Sequence, residues 1–271
     1  MYELITAPSF DLNRTSEYKL SIQVSLDGFS FSVIRVGDNR LLAINRSPAT
    51  ISAEKFIARR FNEWVSSEEI LNRNFAEARV QYFTGNFTVI PETFFVNEKQ
   101  NEIAGLLFEQ EVTSQVVTVH PKNTELKFLF SVPANLPGEI AAKFGAFKLE
   151  HPATVLAEKC GPLFSEIKKG ALLYFTPGSF LVLLYSGKNL LLANNYNYSH
   201  PNDVIYYLVA VLNQYQIKPA NLKIILSGEI NKEDENEVLL RDYFNETEFW
   251  NPGISFSSDT FKKLHRFISL L

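Results

Sequence analysis

The chain repeats itself, without a gap, at an offset of 150 residues. Gly28, Gly37, Asn39, Leu41, Leu42, Ala43 and Asn45 return as Gly178, Gly187, Asn189, Leu191, Leu192, Ala193 and Asn195. That makes seven identities in the eighteen positions 28–45, where ordinary composition supplies about one by chance. The period is domain-sized rather than solenoid-sized, so two similar lobes on one chain are implied. With 271 residues, 46% of them apolar, there is enough material for a core in each lobe.

Each copy carries the same plan. Leu20, Ile22, Val24 and Leu26 alternate with Lys19, Ser21, Gln23 and Ser25, the period-two pattern of a strand. Asp27-Gly28 then signals a hairpin, because glycine takes positive φ at little cost, and Phe29, Phe31, Val33 and Val36 carry the chain back. After Gly37-Asp38-Asn39, Leu41 to Asn45 reads as a third strand. A helix through about Ser66 follows, with Phe56, Ile57, Phe61, Trp64 and Val65 at helical spacing, and Val80 to Pro91 returns to strand.

In the second copy Leu172 to Phe175, Phe180 to Tyr185 and Leu190 to Asn194 are the three strands. The run 180–185 does not alternate, which suits a strand covered on both faces. Ser199-His200-Pro201-Asn202-Asp203 opens a helix that is apolar nearly all round, so it is expected to be sandwiched between its sheet and something else. Leu222 to Leu226 is a fourth, buried strand. Three antiparallel strands joined through a helix to a parallel fourth form the ribonuclease H-like core, and its duplication describes the actin-like ATPase architecture. The expected division is residues 1–165 for the first lobe and 166–254 for the second. A C-terminal helix, 255–271, with Phe261, Leu264, Ile268 and Leu271 on one face, is expected to pack back on the first lobe.

Composition narrows the partners. A net charge of −4 offers no cationic face to gather nucleic acid or anionic lipid. No run reaches the ~18 apolar residues of a membrane span, and Met1 to Lys19 lacks the apolar core of a signal peptide, so a cytoplasmic protein is expected. The single cysteine, Cys160, excludes an internal disulfide and reads as a small buried hydrophobe.

Several stretches resemble an uncharacterised bacterial family of unknown function assigned an actin-like ATPase fold. They are Val89-Ile90-Pro91-Glu92, Leu149-Glu150-His151-Pro152-Ala153-Thr154, Asn194-Asn195-Tyr196-Asn197-Tyr198, Asp203-Val204-Ile205-Tyr206-Tyr207 and Ile224-Ile225-Leu226-Ser227-Gly228. The resemblance covers about residues 18–250 and implies a fold without an established activity. More distantly, the lobe plan is similar to the actin-like proteins of pilus and secretion assembly, which implies a scaffold role by analogy.

The superfamily resemblance also implies an Asp-x-Gly turn in the first hairpin of each lobe, with amides for phosphate and carboxylates for Mg²⁺. With Gly28 as the turn glycine, Leu26 takes the carboxylate position and Asp27 falls one residue late. In the second lobe Thr176-Pro177-Gly178 offers a hydroxyl and lacks an amide donor at Pro177. The adenosine turn, a Gly-Gly pair in the family, reads Ser227-Gly228-Glu229. Three departures in three motifs argue against ATP hydrolysis.

Other chemistry finds less support. His120, His151, His200 and His265 are too dispersed for a metal site, and neither a Gly-x-Ser-x-Gly elbow nor a Gly-x-x-x-x-Gly-Lys loop occurs. No catalytic residue and no cofactor are therefore expected. The leading expectation is a non-catalytic or nucleotide-sensing scaffold, or pseudo-ATPase, that binds a protein partner or itself. The alternative is a Mg²⁺-dependent ATPase with ATP lined by Asp27, Gly28, Ser30, Thr176, Gly178, Ser179, Ser227 and Gly228. Asn195, Tyr196, Tyr198 and Asp203 are candidates for a cleft or interface, with core packing the plainer role for the tyrosines. The charge run 232–237 reads as a solvated helix entrance, with a partner-binding acidic patch as the alternative.

Overall fold

A computed structural model describes residues 3–108, 114–122, 124–253 and 263–271. The first lobe opens with β1 (Glu3–Thr6), β2 (Tyr18–Ser25), β3 (Gly28–Arg35) and β4 (Leu41–Pro48). Helix α1 (Ile57–Ser67) crosses to β5 (Glu77–Tyr82), and β9 (Lys148–Glu150) and α4 (Pro152–Phe164) end the lobe. Between β5 and β9 the chain inserts β6 (Phe87–Pro91), α2 (Gln100–Leu107), β7 (Ser114–Val119), β8 (Leu126–Pro133) and α3 (Leu136–Phe144). The second lobe runs β10 (Gly170–Thr176), β11 (Ser179–Ser186), β12 (Asn189–Asn197), α5 (Pro201–Gln214), β13 (Lys223–Gly228), α6 (Glu235–Tyr243) and β14 (Glu246–Phe249).

The two main sheets have the orders β1-β4-β3-β2-β5-β9 and β12-β11-β10-β13-β14. In each, three antiparallel strands are followed by parallel pairing of the fourth to the first and of the fifth to the fourth. This is the ribonuclease H-like order, present twice. The stretch Val80 to Pro91, read from sequence as one interrupted strand, divides at Gly85-Asn86. Its second half leaves the main sheet and joins the separate order β6-β8-β7.

The five core strands repeat in the same order, with β1 an added edge strand of the first sheet, but the register differs from the ungapped 150. Matching strands by the face they bury pairs Phe29, stacked on Trp64 of α1 at 4.9 Å, with Phe180, which packs near Tyr207 of α5 at 6.5 Å. That offset is 151. Both lobes then carry a register shift at the same place, between Val33 and Ile34 and between Leu184 and Tyr185. Six residues separate the paired Ile34 and Leu41, whereas four separate Tyr185 and Leu190, so beyond the loop the offset is 149. Neither value is 150, so the identities read at 150 within the strands do not pair equivalent residues.

Non-alternation in β11 follows from cover on both faces. Phe180, Val182 and Leu184 join Val204, Leu208 and Leu212 of α5 in one core. Leu181, Leu183 and Tyr185 point the other way, into a core that holds Leu156, Cys160 and Phe164 of α4 and continues through Phe31 and Phe61 of the first lobe. Cys160 is buried and its thiol is pushed up by that burial. Phe164 and Tyr185 stack at 5.0 Å, and the Tyr185 hydroxyl donates to the Ala157 carbonyl. Helix α4 is thus a shared element between the sheets.

Where a C-terminal helix was expected, Leu264–Phe267 forms one 3₁₀ turn; Phe261 and the rest of 254–262 lie outside the described residues. The segment threads between the lobes. Phe267 and Leu270 pack on Ile34, Leu41 and Ile44 of the first lobe, while Ser227 of β13 donates to the His265 carbonyl at 2.6 Å. Three consecutive carbonyls are also held: Lys159 donates to Ile268 at 2.7 Å, Gln81 to Ser269 at 2.6 Å and Ser32 to Leu270 at 2.7 Å. Burial pulls the Lys159 ammonium down to about 8. Among the described residues, no helix is long and apolar enough to cross a membrane.

Candidate functional site: the cleft between the two hairpins

The β2–β3 and β10–β11 hairpins face one another across a cleft. Register places Ser25 opposite Gly28 and Thr176 opposite Ser179. Ser25 Oγ donates to the Gly28 carbonyl and Thr176 Oγ1 to the Ser179 carbonyl, each at 3.2 Å. Ser25 is therefore the counterpart of Thr176, and Asp27 that of Gly178. This corrects the sequence register, in which Leu26 held the carboxylate position. Both positions carry a hydroxyl already committed to its own turn.

The walls mix polar and apolar groups, and most of the larger polar side chains are paired. Asp27, Gly28, Ser30 and Thr176 line the cleft with Gln23, Arg46, Tyr174, Glu229, Arg266, Phe267 and Leu270. Arg46 of β4 donates to Glu229, just past β13, at 2.5 Å, and Arg266 approaches the same carboxylate at 3.9 Å. Arg266 also donates to Asn231 at 3.0 Å. Deeper in, Tyr174 and Ser269 both donate to Gln23 Oε1, at 3.1 and 2.9 Å. Desolvation at the cleft wall pushes the Asp27 carboxyl up, and the Arg46 charge opposes that shift. Burial likewise pushes the Tyr174 phenol up.

The free volume left is about 50 Å³. Sites for small molecules enclose ~300–1,000 Å³, so this cleft admits a few waters at ~30 Å³ each. Across the Arg46–Glu229 pair, both side chains about three-quarters buried, a double-mutant cycle with Arg46→Ala and Glu229→Ala should return a coupling of roughly 1–2 kcal/mol. Urea unfolding of the four proteins measures it, and additive losses would show that the bridge does not hold the lobes.

The remaining expected nucleotide residues serve the backbone. A Cβ on Gly28, at φ +125°, would meet the Ser47 carbonyl oxygen at 2.4 Å and Ala49 nitrogen at 2.6 Å. Gly178, at φ +72°, simply makes the turn, and Ser179 Oγ lies 2.6 Å from Thr176 Oγ1. Ser227 is occupied by the tail, and Gly228 lies against Phe175.

Asn195, Tyr196, Tyr198 and Asp203 do not share one surface. Asn195 lies beside Gly85 of the first lobe, its amide nitrogen 3.4 Å from where a Cβ would stand there. Tyr196 stacks on Tyr207 of α5 at 4.8 Å, and Tyr198 meets Phe175 edge-on at 5.9 Å. Asp203 accepts from the Ser199 and His200 amides, both at 2.9 Å, closing the start of α5. These contacts hold its carboxyl below the usual range. Among the described residues, no three His, Cys, Asp or Glu side chains are grouped to hold a metal ion. Sequence reading passed over Gln23, Arg46, Tyr174 and Arg266. No local pattern flags them, because Arg46 and its partner stand 183 residues apart.

Comparison with known proteins agrees with this architecture. A Bacteroides thetaiotaomicron protein of actin-like ATPase fold and unknown function superposes with a TM-score of 0.81 at 17% identity, over 96% of this chain and 98% of that one. The type IV pilus PilM–PilN complex matches with a TM-score of 0.61 at 13% identity, over 94% and 97%. The ethanolamine utilization protein EutJ of Carboxydothermus hydrogenoformans gives 0.50 at 8% identity, over 98% and 90%. No curated protein matches the sequence. The model of a family described as protein of unknown function (DUF3822) matches residues 7–247. The chain belongs to that family and has the actin-like ATPase fold of two ribonuclease H-like lobes.

Proposed function

We propose that this chain is a non-catalytic, protein-binding scaffold built on an actin-like fold whose nucleotide cleft is filled by its own residues. The observation that carries the reading is the cleft volume of about 50 Å³, with Arg46–Glu229 bridging it and Phe267 and Leu270 in its wall. Such a cleft does not fit a magnesium nucleotide. The turn positions supply hydroxyls instead of carboxylates, Pro177 has no amide hydrogen to offer phosphate, and Glu229 would face the anion. Protein contact is also what one structural neighbour displays, having been solved as the PilM–PilN complex; at 13% identity it lends the fold and a precedent.

Thermal unfolding with and without millimolar Mg²⁺ and ATP, ADP or a non-hydrolysable analogue tests the reading. A ligand at ~100 times its Kd adds about 2.7 kcal/mol to the folded state, a displacement of several degrees in a chain this long. The expected result is an unchanged midpoint with every nucleotide. A Mg²⁺-dependent rise would overturn the filled-cleft reading and reopen the ATPase alternative, since the shift reports binding and not hydrolysis.

A further inference from the structure

Helix α5, expected from its composition to be sandwiched, instead leaves its outer face on the surface, without a charged side chain there. Of its fourteen residues, Pro201–Gln214, only Asp203 is charged, and that carboxylate closes the helix start. Val204, Leu208, Val211 and Leu212 are buried against the sheet. The opposite stripe, Asn202, Tyr206, Ala210 and Asn213, follows helical spacing and faces outward, with Val209 half-buried at its edge. Surface helices ordinarily carry charged residues on that face.

This stripe floors a shallow groove shared with α6. One concavity of about 510 Å³ lies between Tyr206, Val209 and Tyr243. A second, of about 420 Å³, lies between Asn202, Glu233 and Val238. The two meet at Asn202. Tyr206 is 69% exposed, Tyr243 53% and Val238 43%, so large apolar and aromatic groups stand in water side by side. Tyrosine combines apolar area with a polar tip at low conformational cost, the make-up of a protein-binding anchor.

Charge selects the occupant. Residues 232–246, which carry α6, hold six acidic side chains and two basic ones, a net −4 equal to that of the whole chain, and two of those acids, Glu233 and Glu235, line the groove itself. The rest of the protein therefore sums to zero, and the negative excess lies in the segment that supplies one side of the groove. Glu233, Glu235 and Asp242 are exposed, and Arg241 is tied to Glu237. From Asn202 to Asn213 the stripe runs ~16 Å at 1.5 Å per residue, the length of three helical turns.

We infer that the α5–α6 groove of the second lobe is a docking site for an amphipathic helical segment of a partner protein, apolar on one face and flanked by Lys or Arg. The inference rests on the scaffold reading and gives its partner a chemistry. Apolar residues at helical spacing would lie on Tyr206, Val209 and Tyr243, and the cations would meet the acidic wall.

The test uses the full chain and a labelled fourteen-residue helical peptide of Leu and Lys, with its Leu and Glu counterpart as control. Fluorescence anisotropy should detect binding of the Leu–Lys peptide that weakens with salt, and hydrogen exchange should slow within 202–213 and 233–243. Tyr206→Ser and Tyr243→Ser, both at exposed sites, should each weaken binding about tenfold with unchanged thermal midpoints. Phe94→Ser, on a separate exposed patch, should leave it intact. No binding, equal binding of the Leu–Glu peptide, protection elsewhere, or indifference to both tyrosine variants would overturn the inference. So would a self-associated chain in sedimentation that Tyr206→Ser dissociates, since a second copy would then be the occupant. A nucleotide-dependent thermal shift with the groove footprint intact would sink the scaffold reading alone.

Discussion

Gly228→Ala should be among the most destabilising single changes in this protein, lowering the free energy of unfolding by roughly 3–5 kcal/mol. Gly228 ends β13 at φ +80°, beside Phe175 of β10. An added Cβ would stand 2.1 Å from the Phe175 carbonyl oxygen and 2.7 Å from its nitrogen. These are backbone atoms of a central strand, and that carbonyl also accepts from the Glu229 amide at 2.8 Å. Neither side can give way without breaking the pairing of the lobe's two central parallel strands. Against a total stability of ~5–15 kcal/mol, the loss should move the urea midpoint far down. A variant that unfolds like the wild type would return Gly228 to the role the family pattern assigns it, clearance for a nucleotide.

Acidification should weaken the fold through His151, by roughly 3 kcal/mol between pH 6.5 and pH 4. The ring is fully buried at the start of α4. Its Nδ1 accepts from the Ala153 amide at 3.1 Å, which leaves Nε2 to donate to the Thr84 carbonyl at 3.0 Å. Phe87 stacks on it at 4.5 Å. Burial pulls the imidazole down to about 4, with the Thr84 carbonyl opposing. In the unfolded chain the ring titrates near 6.5. Between those values the unfolded state holds a proton that the folded state refuses, so stability falls as pH falls. Above pH 6.5 the contribution is complete. His265, also held down by burial, acts in the same direction, so the comparison must be made by difference. His151→Asn keeps an acceptor for the helix start and removes the titration. Urea unfolding at pH 7, 6 and 5 should give a flatter dependence in the variant, and equal slopes would assign the acid sensitivity elsewhere.

These two residues mark different degrees of legibility in the sequence. The Ser227-Gly228 turn is visible as a local motif and stands where the pattern puts it, whereas α4, which opens at His151-Pro152, is not among the helices the local pattern places. Their causes are not visible. Gly228 answers to a backbone 53 residues away, and His151 to a carbonyl 67 residues away.

By itself the sequence determined the four strands and the crossover helix at the core of each lobe and their duplicated order, because those signals are short-range. Alternation from Leu20 to Val24, turn residues at Asp27-Gly28 and Pro177-Gly178, and the Pro201 and Asp203 start of α5 each act within a few residues. Only the tertiary structure decided the register of the repeat, since two residues gained or lost in a surface loop leave strand faces unchanged while moving the numbering. It also decided the contents of the cleft. The bridge from Arg46 to Glu229 and the bonds from Ser32 and Gln81 to residues 270 and 269 span 183 to 238 positions. Contacts of that range depend on how two completed sheets pack around α4 and the C-terminal segment, and no local pattern of residues encodes that packing.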